Sequence, residues 1–175
     1  MQDVSEKSMN TPVIRLAKSA DVAQIHAAAL ATWEPTYRSI ISAEQIQMMF
    51  DDLLSCDAIE RQITSEQGTY VLALEDDVVV GFAYFSRDTS SALCYKLHRL
   101  YVRPLRQSTG IGSLLLRWVE GFLSKNGVDE LVLNVNRFNT AQDFYRKNGY
   151  EIIATVDIPY KQFWLNDYVM KKALR

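Results

Sequence analysis

The stretch that decides the fold runs from Lys96 to Leu116 and reads K-L-H-R-L-Y-V-R-P-L-R-Q-S-T-G-I-G-S-L-L-L. An apolar, strand-like run ends at Val102, Pro104 breaks it, and a polar loop leads into an amphipathic segment. The first amides of such a helix have no intrahelical partner, its dipole favours negative charge, and glycines let an anion come close to the backbone. The sequence therefore predicts a strand, a glycine-containing loop and a helix that begins at an anion site.

Two other phosphate-binding loops fit this segment less well. A P-loop needs G-x-x-x-x-G-K-[ST], which the chain lacks. A Rossmann fingerprint needs a third glycine where Leu115 stands, although Glu130 is suitably placed after Gly110 for a ribose contact. Too little of the 175-residue chain follows Gly112 for a doubly wound sheet and a substrate domain. From the loop sequence alone, a glycine-containing strand–helix turn that binds no ligand remains an alternative interpretation.

Bulk composition limits the class of protein. With 48% hydrophobic and 23% charged residues the chain is typical of one globular domain, and we expect a disordered tail at 1–11 and a single domain at 12–175. A net charge of −2 with scattered basic residues argues against nucleic-acid and membrane partners. Two cysteines without a C-x-x-C motif, and a polar amino terminus without a signal peptide, favour a cytoplasmic protein.

The pattern along the chain alternates strand and helix signals. A capping box at Ser42 opens one helix, whereas residues 33–37, with a proline between aromatics, predict a loop or helix break. The predicted strands are 13–16, 70–74, 78–85, 93–102, 131–135, 150–156 and 163–170, and the predicted helices are 21–30, 42–54, 57–64, 111–125 and 140–147.

The strand before the glycine loop changes its alternation. Leu93, Tyr95 and Leu97 are apolar at odd positions, and Leu100 and Val102 continue at even positions. Side chains alternate with a period of two, so the change predicts a β-bulge between Leu97 and Leu100. A strand buried on both faces is the alternative, because alternation then carries little information.

Several of these features together resemble the GNAT superfamily of N-acetyltransferases. They are the Q-x-x-G-x-G spacing of 107–112, the segment N-T-A-Q-D-F-Y-R-K-N-G-Y at 139–150, and the order of elements from about Val13 to Lys171. The resemblance implies an α/β (α+β) fold whose mixed, mostly antiparallel sheet has about six to seven strands and about four to five flanking helices. It also implies acetyl-CoA as co-substrate, with its pyrophosphate held by the glycine loop and its pantetheine arm beside the bulged strand.

The family resemblance assigns coenzyme contacts residue by residue. Ser108 departs from the pattern, because many relatives have glycine there, and weaker phosphate contact is one consequence to test. The implied coenzyme-binding residues are Leu100, Tyr101, Val102, Gln107, Ser108, Thr109, Gly110, Ile111, Gly112, Ser113, Asn139 and Tyr145.

Two residues are candidates for proton transfer. Tyr145 holds the place of the family's general acid, and a phenol with a pKa of ~10 can protonate a departing thiolate with a pKa of ~8.5. His98 lies on the strand beside the expected thioester and is the candidate base, since its ordinary pKa suits that task. A core role for Tyr145 and a backbone-satisfying role for His98 are the alternatives.

The acceptor side is less well defined. In the family the region between the first two helices forms one wall of the acceptor pocket, which implies contacts from Trp33, Glu34 and Tyr37. The carboxyl-terminal segment loosely resembles bacterial polyamine acetyltransferases, and Phe163 with Trp164 is consistent with the edge of a homodimer. We therefore expect direct, metal-free acetyl transfer from acetyl-CoA to a primary amine of a small molecule. A peptide or protein amine acetyltransferase and a non-catalytic acyl-CoA-binding regulatory domain are the alternatives.

Overall fold

A computed structural model of the chain describes residues 11–65, 67–89 and 93–175. Of the predicted tail, only Thr11 lies within the described residues. The described residues form one seven-stranded sheet and five α-helices. The strands are β1 (Val13–Leu16), β2 (Thr69–Glu75), β3 (Val78–Arg87), β4 (Cys94–Val102), β5 (Glu130–Asn136), β6 (Glu151–Tyr160) and β7 (Phe163–Ala173). The helices are α1 (Val22–Tyr37), α2 (Ala43–Leu54), α3 (Cys56–Thr64), α4 (Ile111–Lys125) and α5 (Ala141–Lys147).

The sheet is mixed but mostly antiparallel. Its strand order is β1-β2-β3-β4-β5-β7-β6, and β4 with β5 is the parallel pair among these strands. The connection from β4 to β5 passes through α4, as a parallel pair requires. The fold expected from the sequence is thus confirmed, and the sheet's parallel seam lies in its middle.

The two faces of the sheet carry separate cores. The alternation of β2 sends Tyr70 and Leu72 to one face and Val71 and Ala73 to the other. On the first face pack α1, α2 and α3, and on the second α4 and α5. A cleft that opens between two central strands therefore has a helix layer on either side.

The extent of α1 corrects the sequence prediction. Residues 33–37 are helical and not a loop, although Pro35 lies within the last turns. Pro35 has no N–H to donate to the carbonyl four residues earlier, but the helix continues past it, and the Arg38 amide donates to the Glu34 carbonyl at 2.9 Å. Trp33 fixes this end of the helix, because its Nε1 donates to the Ile46 carbonyl on α2 at 3.0 Å.

The predicted β-bulge is confirmed at His98. Opposite β4, Tyr84 pairs with Arg99 and Phe85 pairs with Leu97, so His98 is the extra residue of the pairing. The bulge shifts the alternation of the strand by one position. As a result Leu97 and Leu100 both face the core beneath α4.

The parallel pairing of β4 with β5 covers only part of each strand. It joins residues 94–97 to residues 130–133 and ends at the pair Leu97–Leu133. Both strands continue, β4 to Val102 and β5 to Asn136. The two strands therefore diverge beyond this pair, at the position of the bulge.

Candidate active site

A cleft of about 900 Å³ occupies the space between the diverging strands. Its walls come from the end of α1, from β4 and β5, from the loop before α4, and from the beginnings of α4 and α5. The structure brings twelve of the sequence-predicted site residues together here. They are Tyr37, His98, Leu100, Tyr101, Val102, Gln107, Ser108, Gly110, Gly112, Ser113, Asn139 and Tyr145.

The amino terminus of α4 faces one end of this cleft. Gly110 is the residue before the helix, with a φ of 88°, and its carbonyl accepts the first helical bond from the Leu114 amide at 2.9 Å. The amides of residues 111–113 consequently have no intrahelical acceptor. Two side chains fix the preceding loop: Gln107 Nε2 donates to the Val102 carbonyl at 3.1 Å, and Thr109 Oγ1 to the Arg106 carbonyl at 2.6 Å.

The side chains of the loop suit an arrangement in which the backbone faces the cleft. Ile111 is only 3% exposed and points into the core, so it can offer a ligand its amide alone. A Cβ at Gly112 would lie 3.6 Å from the Phe144 ring, where it would narrow the cleft. Thr109 and Ile111 do not line the cleft with their side chains. These geometries agree with binding of an anion by main-chain amides.

Ser108 has the left-handed backbone conformation, with a φ of 62°. Glycine adopts this region without cost, whereas other residues do so rarely. Ser108 thus has the backbone conformation that glycine adopts without cost, and it adds a hydroxyl-bearing side chain to the lining of the cleft.

Tyr145 lies on α5 at the far side of the cleft and is 9% exposed. Its ring meets the Phe144 ring edge-on, with centroids 5.2 Å apart. Burial, and to a lesser degree Tyr37, raises the pKa of Tyr145 well above its usual value. The phenol is therefore protonated throughout the neutral range, as a proton donor must be.

A pair of phenols lies on the α1 side of the cleft, where the sequence analysis expects the acceptor. The hydroxyls of Tyr37 and Tyr101 lie 3.3 Å apart, within hydrogen-bond distance. Burial raises the pKa of both groups, and the charge of Asp167 raises that of Tyr37 further while Arg99 lowers it. Both phenols are neutral hydrogen-bonding groups at neutral pH.

His98 lines the cleft at the bulge and is an exposed residue. Its Nε2 is 2.7 Å from Ser86 Oγ, and its ring lies 5.3 Å from that of Tyr84. Desolvation by the surrounding protein, followed by the charges of Arg99 and Lys96, lowers the pKa of His98 to about 4. The imidazole is neutral at pH 7 and able to accept a proton, but it is a weak base.

Arg99, which the sequence analysis missed, is a buried cation in the wall of the cleft and is 8% exposed. Its Nη1 donates to Gln62 Oε1 at 3.1 Å and to the Tyr70 hydroxyl at 2.9 Å. Its guanidinium also lies 5.0 Å from the centre of the Tyr84 ring. An arginine between His98 and Leu100 carries no sign of burial in the sequence, and only the predicted bulge could have suggested that it faces inwards.

Two residues expected at the acceptor pocket lie elsewhere. Trp33 is 4% exposed and belongs to the core between α1 and α2, and Glu34 is exposed on the outer side of α1. Neither lines the cleft, whereas Tyr37, one turn after Trp33, does. Asn139 lines the cleft and lies two residues before α5, where its Oδ1 accepts the Ala141 amide at 2.9 Å.

Three further expectations concern a dimer edge, a metal site and a membrane span. Trp164 is 58% exposed on β7 and Phe163 is partly buried, and a homodimer remains a prediction. In the described part of the chain, His, Cys, Asp and Glu side chains form no group of three that could hold a metal ion. No helix among the described residues is long and apolar enough to cross a bilayer.

Comparison with protein families identifies the class of protein. The profile of the acetyltransferase (GNAT) domain matches residues 37–174, so the chain belongs to the GNAT family of acetyltransferases. The resemblance stated from the glycine loop, the 139–150 segment and the order of elements is thereby confirmed. The expectation that the protein is an acetyltransferase is confirmed as well.

Individual relatives agree with this assignment. The chain is 27% identical over 164 residues to the spermidine N(1)-acetyltransferase of Thermoplasma acidophilum, covering 91% of this chain and 95% of that protein. It is 33% identical over 120 residues to N-alpha-acetyltransferase 50 of Danio rerio, covering 61% of this chain and 71% of that protein. The crystal structure of PaiA N-acetyltransferase from Thermoplasma acidophilum in complex with coenzyme A is similar with a TM-score of 0.79. The identity is 26%, and 93% of this chain and 99% of that chain are covered.

Proposed function

We propose that this protein transfers an acetyl group from acetyl-CoA to the primary amine of a small molecule, by direct attack of the amine on the thioester. The observation that carries the proposal is the cleft between β4 and β5, which has unpaired amides at one end and a protonated tyrosine, Tyr145, in its wall. The coenzyme A bound to the similar PaiA structure supports the same donor here.

The donor-binding half of the proposal assigns the diphosphate to the α4 amides. The amides of residues 111–113 and the left-handed positions Ser108 and Gly110 form a loop whose backbone N–H groups converge on one anion. The unpaired edge of β4, from Arg99 to Val102, offers main-chain groups to the pantetheine amides. An extended arm alongside this edge brings the thioester to the bulge at His98.

The transfer step needs one proton removed and one supplied. The amine nitrogen forms a bond to the acetyl carbon, and the carbon–sulfur bond breaks. Tyr145 donates its phenolic proton to the departing sulfur, and its raised pKa favours return of the proton from solvent afterwards. Neutral His98, directly or through water, accepts the proton that the attacking amine loses. No covalent acyl-enzyme is required, because amine and thioester meet in one cleft.

The test is thiol release from acetyl-CoA, measured with a thiol reagent across polyamines, aminoglycosides, amino acids and short peptides. The proposal expects acceptor-dependent release with at least one small amine, and the acetylated product identified by mass spectrometry. Tight coenzyme binding without release for any acceptor would instead favour a non-catalytic acyl-CoA-binding domain.

A second acceptor class has an observation of its own. The similarity to N-alpha-acetyltransferase 50 favours a protein α-amine. Peptides with free and blocked amino termini separate the two classes. If the free peptides release thiol with a kcat/KM above that of every small amine, the protein-amine function replaces the first one.

A further inference from the structure

We propose that the acceptor amine carries a carboxylate or phosphate group, and that Arg99 binds this anion on the α1 side of the cleft. The proposal rests on the function proposed above and specifies its substrate class. It makes Arg99 a specificity-determining residue that contacts the substrate.

The first argument is the state of the Arg99 charge. Its two side-chain acceptors among the described residues, Gln62 Oε1 and the Tyr70 hydroxyl, are neutral, and Nη1 donates to both. Among the described residues no carboxylate pairs with this guanidinium. Buried charges are normally paired, because an uncompensated one is costly. The tyrosine ring of Tyr84 offsets only part of that cost.

The second argument is where the remaining donors lie. Nε and Nη2 of Arg99 have no acceptor among the described residues, yet no buried side-chain nitrogen or oxygen there lacks a partner. Arg99 lines the cleft, and the proposal assigns these two groups to a ligand there. Two adjacent N–H groups of a guanidinium are the fork that binds a carboxylate or phosphate in bidentate fashion.

The third argument is the charge of the cleft as a whole. Its lining cations are Arg99 and Arg106, and no Asp or Glu lines it within the described part of the chain. Arg106, on the loop before α4, is already paired with Glu75. Asp167 does not line the cleft, and its carboxylate accepts a hydrogen bond from Asn134 Nδ2 at 3.3 Å. A polycationic acceptor would thus meet a buried cation and no lining carboxylate, whereas an anionic acceptor meets its complement.

The fourth argument is position relative to the reacting groups. Arg99 follows the bulge residue His98 and lies two residues beyond the last β4–β5 pair, where the cleft opens. Its charge acts on both Tyr37 and Tyr101, the phenols of the acceptor side. An anion on Arg99 therefore leaves the amine of a short acceptor within reach of the thioester end of the cleft.

The test compares acceptors that are matched in length but differ at the end away from the reacting amine, where the anionic member has a carboxylate and the other an ammonium group. The pairs are γ-aminobutyrate with putrescine and β-alanine with trimethylenediamine; phosphoethanolamine and spermidine are added singly. Thiol release from acetyl-CoA is measured for the wild type, Arg99→Met and Arg99→Lys. Arg15→Met is the matched control, because Arg15 is a paired arginine on β1 outside the cleft. Thermal unfolding and coenzyme A binding show whether each variant is folded.

We expect the anionic member of a pair to have at least about tenfold higher kcat/KM, a preference that Arg99→Met abolishes and Arg99→Lys partly restores. Arg15→Met should keep the preference. Higher kcat/KM for the diamines or spermidine would overturn the anion proposal and leave the acetyltransferase function standing. Equal losses for both members of a pair in folded Arg99→Met would also overturn it.

Absence of turnover with every amine would count against the proposed function, and binding then decides the present inference separately. In isothermal titration calorimetry with the protein saturated with coenzyme A, only the anionic member of each pair should bind. Arg99→Met should lose this selective binding. Equal binding of both members, or binding of neither, would overturn it.

Discussion

Leu97 on β4 and Leu133 on β5 form the last pair between the two parallel strands, and the cleft opens directly beyond them. The bulge at His98 begins at the next residue of β4. Because a bulge bends its strand, the separation of the strands follows from the inserted residue. Unpaired main chain, a helix amino terminus and the candidate proton donor consequently border one space.

Replacing Tyr145 with phenylalanine tests the proton donor. Removal of a general acid should lower kcat by about 10²-fold or more, while the Kd for coenzyme A changes by less than about threefold. Steady-state kinetics and calorimetry measure the two quantities. Tyr150→Phe is the matched control, because its hydroxyl donates to Glu120 at 3.0 Å outside the cleft. That variant should lose stability and keep kcat, and wild-type kcat in Tyr145→Phe would remove Tyr145 from the mechanism.

Replacing Gly112 with valine tests the anion loop. A Cβ here meets Phe144 and Val102 at 3.6–3.7 Å, and the further methyl groups fill the space beside the free amides. We expect the Kd for coenzyme A to rise at least about tenfold, which is ~1.4 kcal/mol. Gly121→Ala on the same helix, where a Cβ meets nothing within 4 Å, should stabilise the helix by about 1 kcal/mol without changing the Kd. Unchanged binding in Gly112→Val would place the coenzyme elsewhere.

Position 108 tests whether the loop depends on its backbone conformation. Since φ is 62°, a β-branched residue should cost about 1–2 kcal/mol, whereas glycine should be tolerated to within about 1 kcal/mol. We expect Ser108→Val to weaken coenzyme A binding and lower the melting temperature, and Ser108→Gly to do neither. Equal behaviour of the two variants in thermal unfolding and calorimetry would show that the conformation is not required.

The pKa of His98 predicts a pH dependence of stability. It falls from 6.5 to about 4 on folding, so the unfolded chain binds more protons between these values and stability rises with pH across that window. Thermal unfolding of His98→Gln should therefore lose part of the slope between about pH 4 and 6.5. A full slope in His98→Gln would mean that His98 titrates normally.

Some of the site could be predicted from the sequence because its signals are local. Pro104 and Gly110 mark the loop, and the apolar change of phase between Leu97 and Leu100 marks the bulge. Each of these signals reflects backbone geometry, which nearby residues determine.

The parts that could not be predicted depend on distant contacts. The proline signal at 33–37 is overridden because Trp33 is held by Ile46 on the next helix. Once the segment is helical, its period of 3.6 residues sends Trp33 to the core and Glu34 outwards. Arg99 is buried by Gln62 and Tyr70, which lie 37 and 29 residues earlier in the chain.

The most direct test of the central claim is a crystal structure of the protein with coenzyme A. The account predicts the diphosphate within hydrogen-bond distance of the amides of residues 108–113, and the pantetheine arm between β4 and β5 with its sulfur near the Tyr145 hydroxyl. A coenzyme bound outside this cleft, or a diphosphate without contacts to those amides, would contradict it.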